Sequence, residues 1–331
     1  MDKTIRWALV GLGKISRRMC GAIRAVPGSE VVACASSSKE RAQAYAKEHN
    51  IPNAFTYQEL ADNADMVDAV YIATHMNAHA KPAMMFLKKK LPVLCEKTFA
   101  TSEKEAESMI QCSVENDTLL MEAMWTRFLP ATLELLDLLK SGKTGKILSA
   151  HSRFEVGIGH GPKSRVFNKA VGGGSILDVG IYPTTYTHLL LGVPQKIEAQ
   201  GRLKKDVDVN CDVTYTYPGG VVVKTRVSTE FLTLKEFYNI ECEKATVSVP
   251  SFFDARKIIV KYKDGTKEII TSRGGVPFGR RNHPDGFTHE IAHFSDLVRK
   301  GVKESPVMTH EVTMEVMRMI EAQLKQVGVE Y

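Results

Sequence analysis

The 331-residue sequence lacks paired cysteines, long apolar runs and low-complexity segments. Its six cysteines are scattered, without a C-x-x-C pair, at Cys20, Cys34, Cys95, Cys112, Cys211 and Cys242. Scattered cysteines in a chain of this size predict reduced, partly buried thiols and a cytoplasmic location. No apolar stretch is long enough to span a bilayer, and residues 1–6 show no signal-peptide pattern.

Charge of one sign is also scarce. The formal net charge is +6, and the densest basic cluster, residues 88–90, is typical of the solvated end of a helix. We therefore expect neither a nucleic-acid partner nor a membrane partner. Apolar residues make up 44% and charged residues 25%, as in globular proteins. The length predicts about two domains, whose cores need no disulfide or structural metal.

The first third of the chain alternates β-rich apolar runs with helical patterns. Strands are predicted over 5–10, 30–35, 67–74, 92–96 and 118–125, and helices over 16–26, 39–50, 77–90 and 102–116. Continuous apolar strands that alternate with helices predict a doubly wound parallel sheet covered on both faces.

The pattern changes after about Pro130. Strands are predicted over 147–156, 195–203, 212–217, 221–228, 236–241, 245–249 and 258–262, and helices over 131–139, 175–191, 286–300 and 310–326. Residues 218–220 and 263–265 are hairpin-type turn signals. The second half is therefore predicted to be an α+β domain on a large, mainly antiparallel sheet, within an α/β protein.

A glycine-rich turn follows the first predicted strand. The sequence Gly11-Leu12-Gly13-Lys14-Ile15-Ser16 reads G-x-G-x-x-S and leads directly into a helix. The first glycine permits the tight turn, the second lets a diphosphate approach the backbone, and the helix N-terminus supplies free N–H groups. This context predicts a Rossmann domain over 1–127, with Gly11, Gly13, Lys14 and Ile15 at the phosphates. Residues 128–331 form the second domain.

The end of the second strand distinguishes NAD from NADP. A NAD site usually places Asp or Glu there, whereas this chain offers Ser36 and Ser37, followed by Lys39 and Arg41. Hydroxyl groups with basic side chains beyond them suit a 2′-phosphate, so NADP is favoured and NAD stays possible. The alternative is an ordinary serine N-cap in front of a solvated helix.

Later motifs resemble a known family of oxidoreductases. Glu96-Lys97 ends a predicted strand, and a Gly-Gly-Gly-Ser-Ile-Leu-Asp-Val-Gly-Ile-Tyr run ends at Tyr182. Together with the glycine-rich turn, they resemble the glucose–fructose oxidoreductase / inositol dehydrogenase / MocA (Gfo/Idh/MocA) family over essentially the whole chain. Residues 121–128 resemble, more narrowly, its dimeric dihydrodiol dehydrogenase and NADP-dependent D-xylose dehydrogenase branch.

The resemblance implies a fold, an assembly and site residues. It implies a Rossmann domain beside an open-faced sheet that often forms a dimer interface, hence a homodimer or higher homo-oligomer. It implies Lys97 near the nicotinamide and Tyr182 as acid/base, with Asp178 beside it. The further residues that it implies around the cofactor are Thr74, Asn77, His79, Glu96, Trp125, Arg127 and Arg165. Many members carry a proline after the threonine, where this chain has His75-Met76, which leaves the local loop shape and a direct role for His79 open.

The chemistry of these residues can be argued independently. Asp178 and Tyr182 are four apart, so on a helix they share one face. A lysine ammonium about 4 Å from a phenol would contribute up to about 4 kcal/mol at an effective dielectric near 20. That is roughly three pKa units, enough to make a Lys–Tyr pair a proton relay beside a hydride donor. We expect reversible oxidation of a sugar, polyol or dihydrodiol hydroxyl. Asp178 could instead hold the backbone turn.

Two other classes of protein were weighed. His289-Glu290-Ile291-Ala292-His293 is a literal H-E-x-x-H, the zinc-binding motif of metalloproteases, with Glu311 or Glu315 as a conceivable third ligand. An apolar stripe at helical spacing favours a packed amphipathic helix instead, so no metal is expected. A non-catalytic NADP sensor is the other alternative, against which Lys97 and Tyr182 speak.

Overall fold

The computed structural model describes residues 3–157, 161, 163–230, 234–272 and 286–331. Residues 1–2, part of the stretch considered for a signal peptide, lie outside the described residues. The chain divides into two compact units. The first unit comprises Met1–Trp125 and Gly275–Met314, and the second comprises Thr126–Gly274 and Glu315–Tyr331. Residues 286–314, which the sequence boundary at 127/128 assigns to the second domain, therefore belong to the first unit.

The described residues form strands and helices with the following bounds. The strands are β1 (Ile5–Val10), β2 (Ser29–Ser36), β3 (Asn53–Thr56), β4 (Ala69–Ile72), β5 (Val93–Glu96), β6 (Leu120–Ala123), β7 (Ile147–Val156), β8 (Lys196–Lys204), β9 (Val207–Thr216), β10 (Val222–Ser228), β11 (Leu234–Cys242), β12 (Ala245–Pro250), β13 (Lys257–Tyr262) and β14 (Lys267–Thr271). The α-helices are α1 (Lys14–Ala25), α2 (Lys39–His49), α3 (Tyr57–Asp62), α4 (Ala80–Lys88), α5 (Glu103–Glu115), α6 (Pro130–Lys140), α7 (Ile181–Leu191), α8 (Phe287–Lys300) and α9 (His310–Val327).

The first unit contains a six-stranded parallel sheet in the order β3-β2-β1-β4-β5-β6. Every residue of β4 and β5 is buried, as expected for strands covered on both faces. The predicted parallel sheet is thus confirmed. The sequence analysis missed β3 and α3, because a four-residue, half-buried edge strand has almost no periodicity. A capping box of Thr56 and Glu59 begins α3 and was a readable signal for it.

The second unit contains an eight-stranded sheet in the order β14-β13-β12-β11-β7-β10-β9-β8. Only the β7–β10 pair in this sheet is parallel, which confirms the mainly antiparallel prediction. One face buries aromatic side chains that include Tyr186 of α7 and Tyr238 of β11. The predicted strand over 212–217 is longer than expected, since β9 begins at Val207, and β14 was not predicted.

The helix predicted over 175–191 has two parts. Ile176–Gly180 is a π-helical turn, and α7 continues from it at Ile181. π-helical turns are rare and frequently lie at functional sites. This turn carries Asp178, and the first turn of α7 carries Tyr182.

Candidate active site

Gly11 lies where the turn after β1 passes close to the backbone that follows β4. Its φ is +85°, and a Cβ built on it would lie 2.6 Å from the carbonyl carbon of Ala73 and from the nitrogen of Thr74. A side chain at residue 11 would therefore collide with the backbone at the end of β4. The predicted tight turn after β1 requires glycine for this reason.

The N-terminus of α1 is open beside Gly13. A Cβ on Gly13 would meet nothing within 4 Å, and no side chain caps the helix. The first turn carries no acidic residue, Lys14 is exposed and Ile15 is half-buried. Free N–H groups and the positive end of the helix dipole suit an anion. These residues fit the diphosphate of a dinucleotide.

The residues that follow β2 form a small polar cluster. Ser36 is buried and Ser37 is exposed, and the Arg41 guanidinium donates a 2.6 Å hydrogen bond to the Ser37 hydroxyl. Ser38 caps α2 by accepting from the Arg41 N–H, as the alternative reading supposed. Lys39 pairs with Glu59 at 2.7 Å. Arg41 and Ser37 thus lie together at the surface and could both bind the 2′-phosphate of a cofactor.

His79 joins the loops that follow β4 and β5. Its ring is 1% exposed, with Nδ1 3.1 Å from the Phe99 carbonyl oxygen and Nε2 3.2 Å from the Thr74 carbonyl oxygen. Burial lowers the pKa of His79, against the carbonyl contacts that raise it. Thr74 donates its hydroxyl hydrogen to the Ala78 carbonyl, while Asn77 is exposed. His79 therefore holds these loops, and Thr74 and Asn77 lie nearer the surface.

Buried carboxylates hold the backbone around Lys97. Glu96, 6% exposed, accepts a 2.5 Å hydrogen bond from the Tyr71 hydroxyl and one from the Lys97 N–H. Burial first, and then the Glu96 charge, raise the pKa of Tyr71 far above its usual range, so the phenol stays a donor. Glu122 on β6 accepts from the Phe99 N–H at 3.2 Å. Lys97 itself is half-buried at the carboxyl end of β5, where parallel sheets bind ligands.

Trp125 and Arg127 lie deeper than their predicted role suggested. Trp125 is 1% exposed and its ring packs 4.5 Å from that of Phe287. Arg127 is also buried and belongs to the second unit. Burial lowers the pKa of His188, the hydrogen-bonded Glu315 raises it, and the Arg127 charge lowers it again.

Asp178 and Tyr182 lie on one continuous helical segment of the second unit. The Asp178 carboxylate is largely buried and accepts a 2.6 Å hydrogen bond from the Arg165 guanidinium, which is 47% exposed. The Tyr182 ring is half-buried and makes edge contacts with Phe154 at 5.4 Å and Phe253 at 5.9 Å. The aromatic wall fixes the ring of Tyr182, and the ion pair compensates the buried carboxylate. Lys97 belongs to the first unit.

Sequence reasoning missed several residues of these clusters. Tyr71, Glu122, Phe154 and Phe253 act through tertiary contacts that periodicity does not reveal. Glu122 alone carried a signal, since an acidic residue inside an otherwise apolar strand needs a buried partner.

The H-E-x-x-H motif lies on α8. Ser305 Oγ accepts from the N–H groups of Val307 and Met308 and lies within hydrogen-bond distance, 2.8 Å, of His293 Nε2. This hydrogen bond engages one of the two ring nitrogens through which His293 could bind a metal. Glu290 is fully buried, and the part of the chain that the structure describes holds no group of three metal-ligating side chains. These contacts favour a packed amphipathic helix over a zinc centre.

The first unit has the sheet and glycine-rich turn of a dinucleotide-binding domain. The second unit carries an acid and a tyrosine on one helical segment. Together these features are those of a nucleotide-dependent oxidoreductase. Family models agree: residues 5–124 match the "Oxidoreductase family, NAD-binding Rossmann fold" model of Gfo/Idh/MocA proteins, and residues 132–248 match the "GFO/IDH/MocA C-terminal domain". The chain belongs to the Gfo/Idh/MocA family of oxidoreductases. Membership of this family of oxidoreductases argues against the metalloprotease and the sensor alternatives.

Curated relatives align along the whole chain. Trans-1,2-dihydrobenzene-1,2-diol dehydrogenase of Mus musculus is 30% identical over 99% of this chain and 98% of its own. The scyllo-inositol 2-dehydrogenase (NADP(+)) IolU of Bacillus subtilis (strain 168) is 30% identical over the same shares. A solved 3-ketoreductase from Actinomadura kijaniata, in complex with NADP and TDP-benzene, superposes with a TM-score of 0.86 at 25% identity over 99% of each chain. Among the described helices, none has the length and apolarity of a membrane span.

Proposed function

We propose that this oxidoreductase uses NADP to interconvert a hydroxyl and a carbonyl group on a sugar, polyol or dihydrodiol. Tyr182 is the acid/base and Lys97 assists it. The observation that carries the proposal is the placement of Tyr182, a half-buried phenol set against an aromatic wall, one turn beyond the ion-paired Asp178. A fixed phenol beside a carboxylate–guanidinium pair suits proton exchange with an alcohol oxygen.

The first unit holds the cofactor in this proposal. The N-terminus of α1 behind Gly13 receives the diphosphate, since the helix is uncapped and the space beside Gly13 is open. Gly11, Lys14 and Ile15 line the same turn. When bound, the nicotinamide ring supplies a hydride donor or acceptor at its C4 carbon. Thr74 and Asn77 belong to the loop after β4 and Glu96 ends β5, and His79 holds the loops that follow these two strands.

Lys97 and Tyr182 share the proton chemistry. A phenol with a pKa near 10 is a weak base at neutral pH, and an ammonium group nearby favours the phenolate. Tyr182 takes a proton from the substrate hydroxyl during oxidation and returns it during reduction. Lys97 stabilises the phenolate and orients the substrate oxygen. Asp178 holds Arg165 near the substrate, and Trp125 and Arg127 support the segment that joins β6 to α6.

NADP is the preferred cofactor in this proposal. Ser36 and Ser37 stand where a NAD site usually places an acidic residue, and Arg41 is already directed at Ser37. A guanidinium binds phosphate through several N–H groups at once, which ribose hydroxyls cannot match. The Bacillus subtilis relative is named as an NADP(+) enzyme, and the Actinomadura kijaniata structure is a complex with NADP.

The substrate class follows from the relatives and from the site. Relatives at about 30% identity are named for a dihydrodiol and an inositol, both small cyclic molecules with vicinal hydroxyls. The half-buried Phe253 offers an apolar ring beside Tyr182, and Arg165 offers hydrogen-bond donors. A small cyclic diol or polyol would use both features.

Assembly and location complete the proposal. The outward residues of central strand β7, such as Ser149 and His151, are polar or half-exposed, while Ala150 and Ser152 face the core. A homodimer or higher homo-oligomer that pairs this open face would cover it. All six cysteines are buried free thiols, which supports a cytoplasmic location.

The first experiment is a fluorescence titration of the purified protein with NADPH and with NADH, followed by a substrate screen. The screen offers NADP⁺ with sugars, inositols and trans-dihydrodiols and follows NADPH formation. We expect tighter binding of NADPH than NADH and turnover of at least one cyclic diol or polyol. Binding of neither nucleotide would overturn the proposal, and a preference for NADH would overturn only the NADP assignment.

A further inference from the structure

Asp208 is a fully buried carboxylate that contacts the first residues of the helical segment carrying Asp178 and Tyr182. It is the second residue of β9 and is 0% exposed. Its neighbours Val207 and Val209 form a buried apolar cluster with Val166 and Phe167. The strand is therefore anchored, and a carboxylate placed there is costly unless it makes hydrogen bonds.

One carboxylate oxygen of Asp208 satisfies the start of the helical segment. Oδ2 accepts a 2.5 Å hydrogen bond from the Ser175 hydroxyl and a 2.7 Å hydrogen bond from the Ile176 N–H. The first N–H groups of a helix have no intrahelical partner, so a buried helix start needs such an acceptor. Ser175 does not cap the helix through its own side chain. Asp208, which lies on strand β9, caps the helix instead.

The other oxygen restricts the glycines in front of the helix. A Cβ built on Gly174 would lie 2.5 Å from Asp208 Oδ1 and 2.9 Å from the Tyr331 hydroxyl oxygen. The φ of Gly174 is +111°, so a side chain there would also be strained. The Tyr331 hydroxyl donates to the Gly173 carbonyl. Asp208 and Tyr331 together fix the path of the chain into the helix.

This fixed point lies one turn from the reacting groups. The Asp178 N–H donates to the Gly174 carbonyl at 3.1 Å, and the Asp178 carboxylate holds Arg165. Tyr182 follows one turn later. A shift of the helix start would therefore move Asp178 and Tyr182 together, and small misplacements of reacting groups cost up to about a hundredfold in rate.

We propose that Asp208 is a positioning residue for the reaction: through Ser175 and Ile176 it sets the position of Asp178 and Tyr182. This inference rests on the proposed function of Tyr182. Asp208 touches neither substrate nor cofactor in this scheme, so its loss should change kcat and the pH dependence of kcat more than nucleotide binding.

The test compares three variants of the full chain. Asp208→Asn keeps the shape but only one acceptor oxygen, Asp208→Ala removes both, and Ser175→Ala removes one donor while leaving the Ile176 contact. The matched control is Thr187→Val on α7, which removes a buried 2.7 Å hydrogen bond to Tyr238 of β11, away from the helix start. Steady-state kinetics across pH, NADPH titration and thermal unfolding are measured for each.

We expect kcat to fall roughly tenfold to a hundredfold in Asp208→Ala, less in Asp208→Asn and least in Ser175→Ala. The pH profile of kcat should shift, while NADPH affinity stays within about twofold of the wild type. Thr187→Val should lower the unfolding temperature and leave kcat and its pH profile unchanged. Ser175→Ala decides the matter if the Asp208 variants do not fold.

Two failures can be told apart. If Tyr182→Phe keeps full turnover, the proposed function of Tyr182 is wrong. If Tyr182→Phe is inactive but Asp208→Asn and Ser175→Ala keep the kcat and pH profile of the wild type, only the positioning role is wrong. Lower unfolding temperatures with unchanged kinetics would assign Asp208 a purely structural role and overturn the inference.

Discussion

Two glycines of the same turn have different reasons to be glycine. A Cβ on Gly11 would lie 2.6 Å from backbone atoms, whereas the space beside Gly13 is open. The first requirement is structural and belongs to the turn itself. We propose that the second belongs to the bound cofactor, because the protein alone leaves room for a side chain at residue 13.

The pair therefore makes a prediction that separates folding from binding. Gly13→Ala should change the free energy of unfolding by less than about 0.5 kcal/mol, since the methyl group meets nothing. It should weaken NADPH binding about tenfold or more, because the methyl group occupies the space for the diphosphate. Gly11→Ala should destabilise the protein outright. Urea unfolding and fluorescence titration check both, and unchanged NADPH affinity in Gly13→Ala would contradict the assignment of this turn.

Arg41 gives a second prediction at the residue scale. Arg41→Ala should raise the KM for NADP⁺ roughly tenfold to a hundredfold, the cost of a lost charge-assisted hydrogen bond to phosphate. The KM for NAD⁺ should hardly change, since its ribose carries no phosphate. Lys47→Ala, on the exposed face of the same helix, is the control. An equal effect on both nucleotides would remove Arg41 from the 2′-phosphate site.

At the scale of elements, Asp68, which directly precedes β4, ties that strand to the N-terminal residues Lys3 and Arg6. Its carboxylate accepts from the Arg6 guanidinium at 2.9 Å and pairs with Lys3 at 2.8 Å. Burial raises the pKa of Asp68, but the bonds from Arg6 and Lys3 outweigh it and lower the pKa to about 2. The folded pKa lies below the unfolded value near 3.9, so this stability is present above about pH 4 and is lost as pH falls toward 2.

The expected contribution at neutral pH is about 2 kcal/mol, from a shift of nearly two pKa units. Asp68→Asn should therefore be less stable than the wild type at neutral pH, and the difference should shrink toward pH 2. Urea unfolding at a series of pH values measures it. A difference that stays constant over this range would show that the ion pairs contribute nothing through the titration of Asp68.

Element by element, the sequence predicted what periodicity can encode. β1, β2 and α2 were predicted within about two residues, because buried parallel strands and capped helices carry strong local signals. The π-helical turn at 176–180 was predicted as ordinary helix, and its first N–H group, that of Ile176, bonds Asp208, which is distant in sequence. Local patterns cannot report contacts of that kind.

At the scale of the whole molecule, one face of the eight-stranded sheet in the second unit carries exposed and half-exposed side chains. The His151 ring makes an edge contact with Phe237 of β11 at 5.4 Å, and both lie on the outward face of neighbouring strands. We expect a homodimer through this face. Phe237→Glu should raise the dimer dissociation constant at least about tenfold, because it places a charge in the buried centre of the interface. Lys263→Glu, in the β13–β14 turn, is the control, and sedimentation velocity is the measurement. A wild-type monomer at every concentration would contradict the assembly.

At the same scale, the sequence predicted which residues form the candidate site but not how they are held in place. It named Lys97, Asp178 and Tyr182 from a family resemblance, but it gave no reason why a carboxylate can be buried at Asp178 or why the ring of Tyr182 stays in place. Arg165 supplies the first reason and the Phe154–Phe253 wall supplies the second. Both depend on residues brought together only by the fold.

The most direct test of the account is the turnover of Tyr182→Phe with NADP⁺ and the best substrate from the screen, with Tyr262→Phe on an exposed hairpin as the control. The substitution removes only the phenolic oxygen and leaves the ring against its aromatic wall. The account predicts a loss of kcat of about a hundredfold or more, the usual size of acid/base catalysis, with NADPH affinity nearly intact. Wild-type turnover by Tyr182→Phe would contradict the central claim.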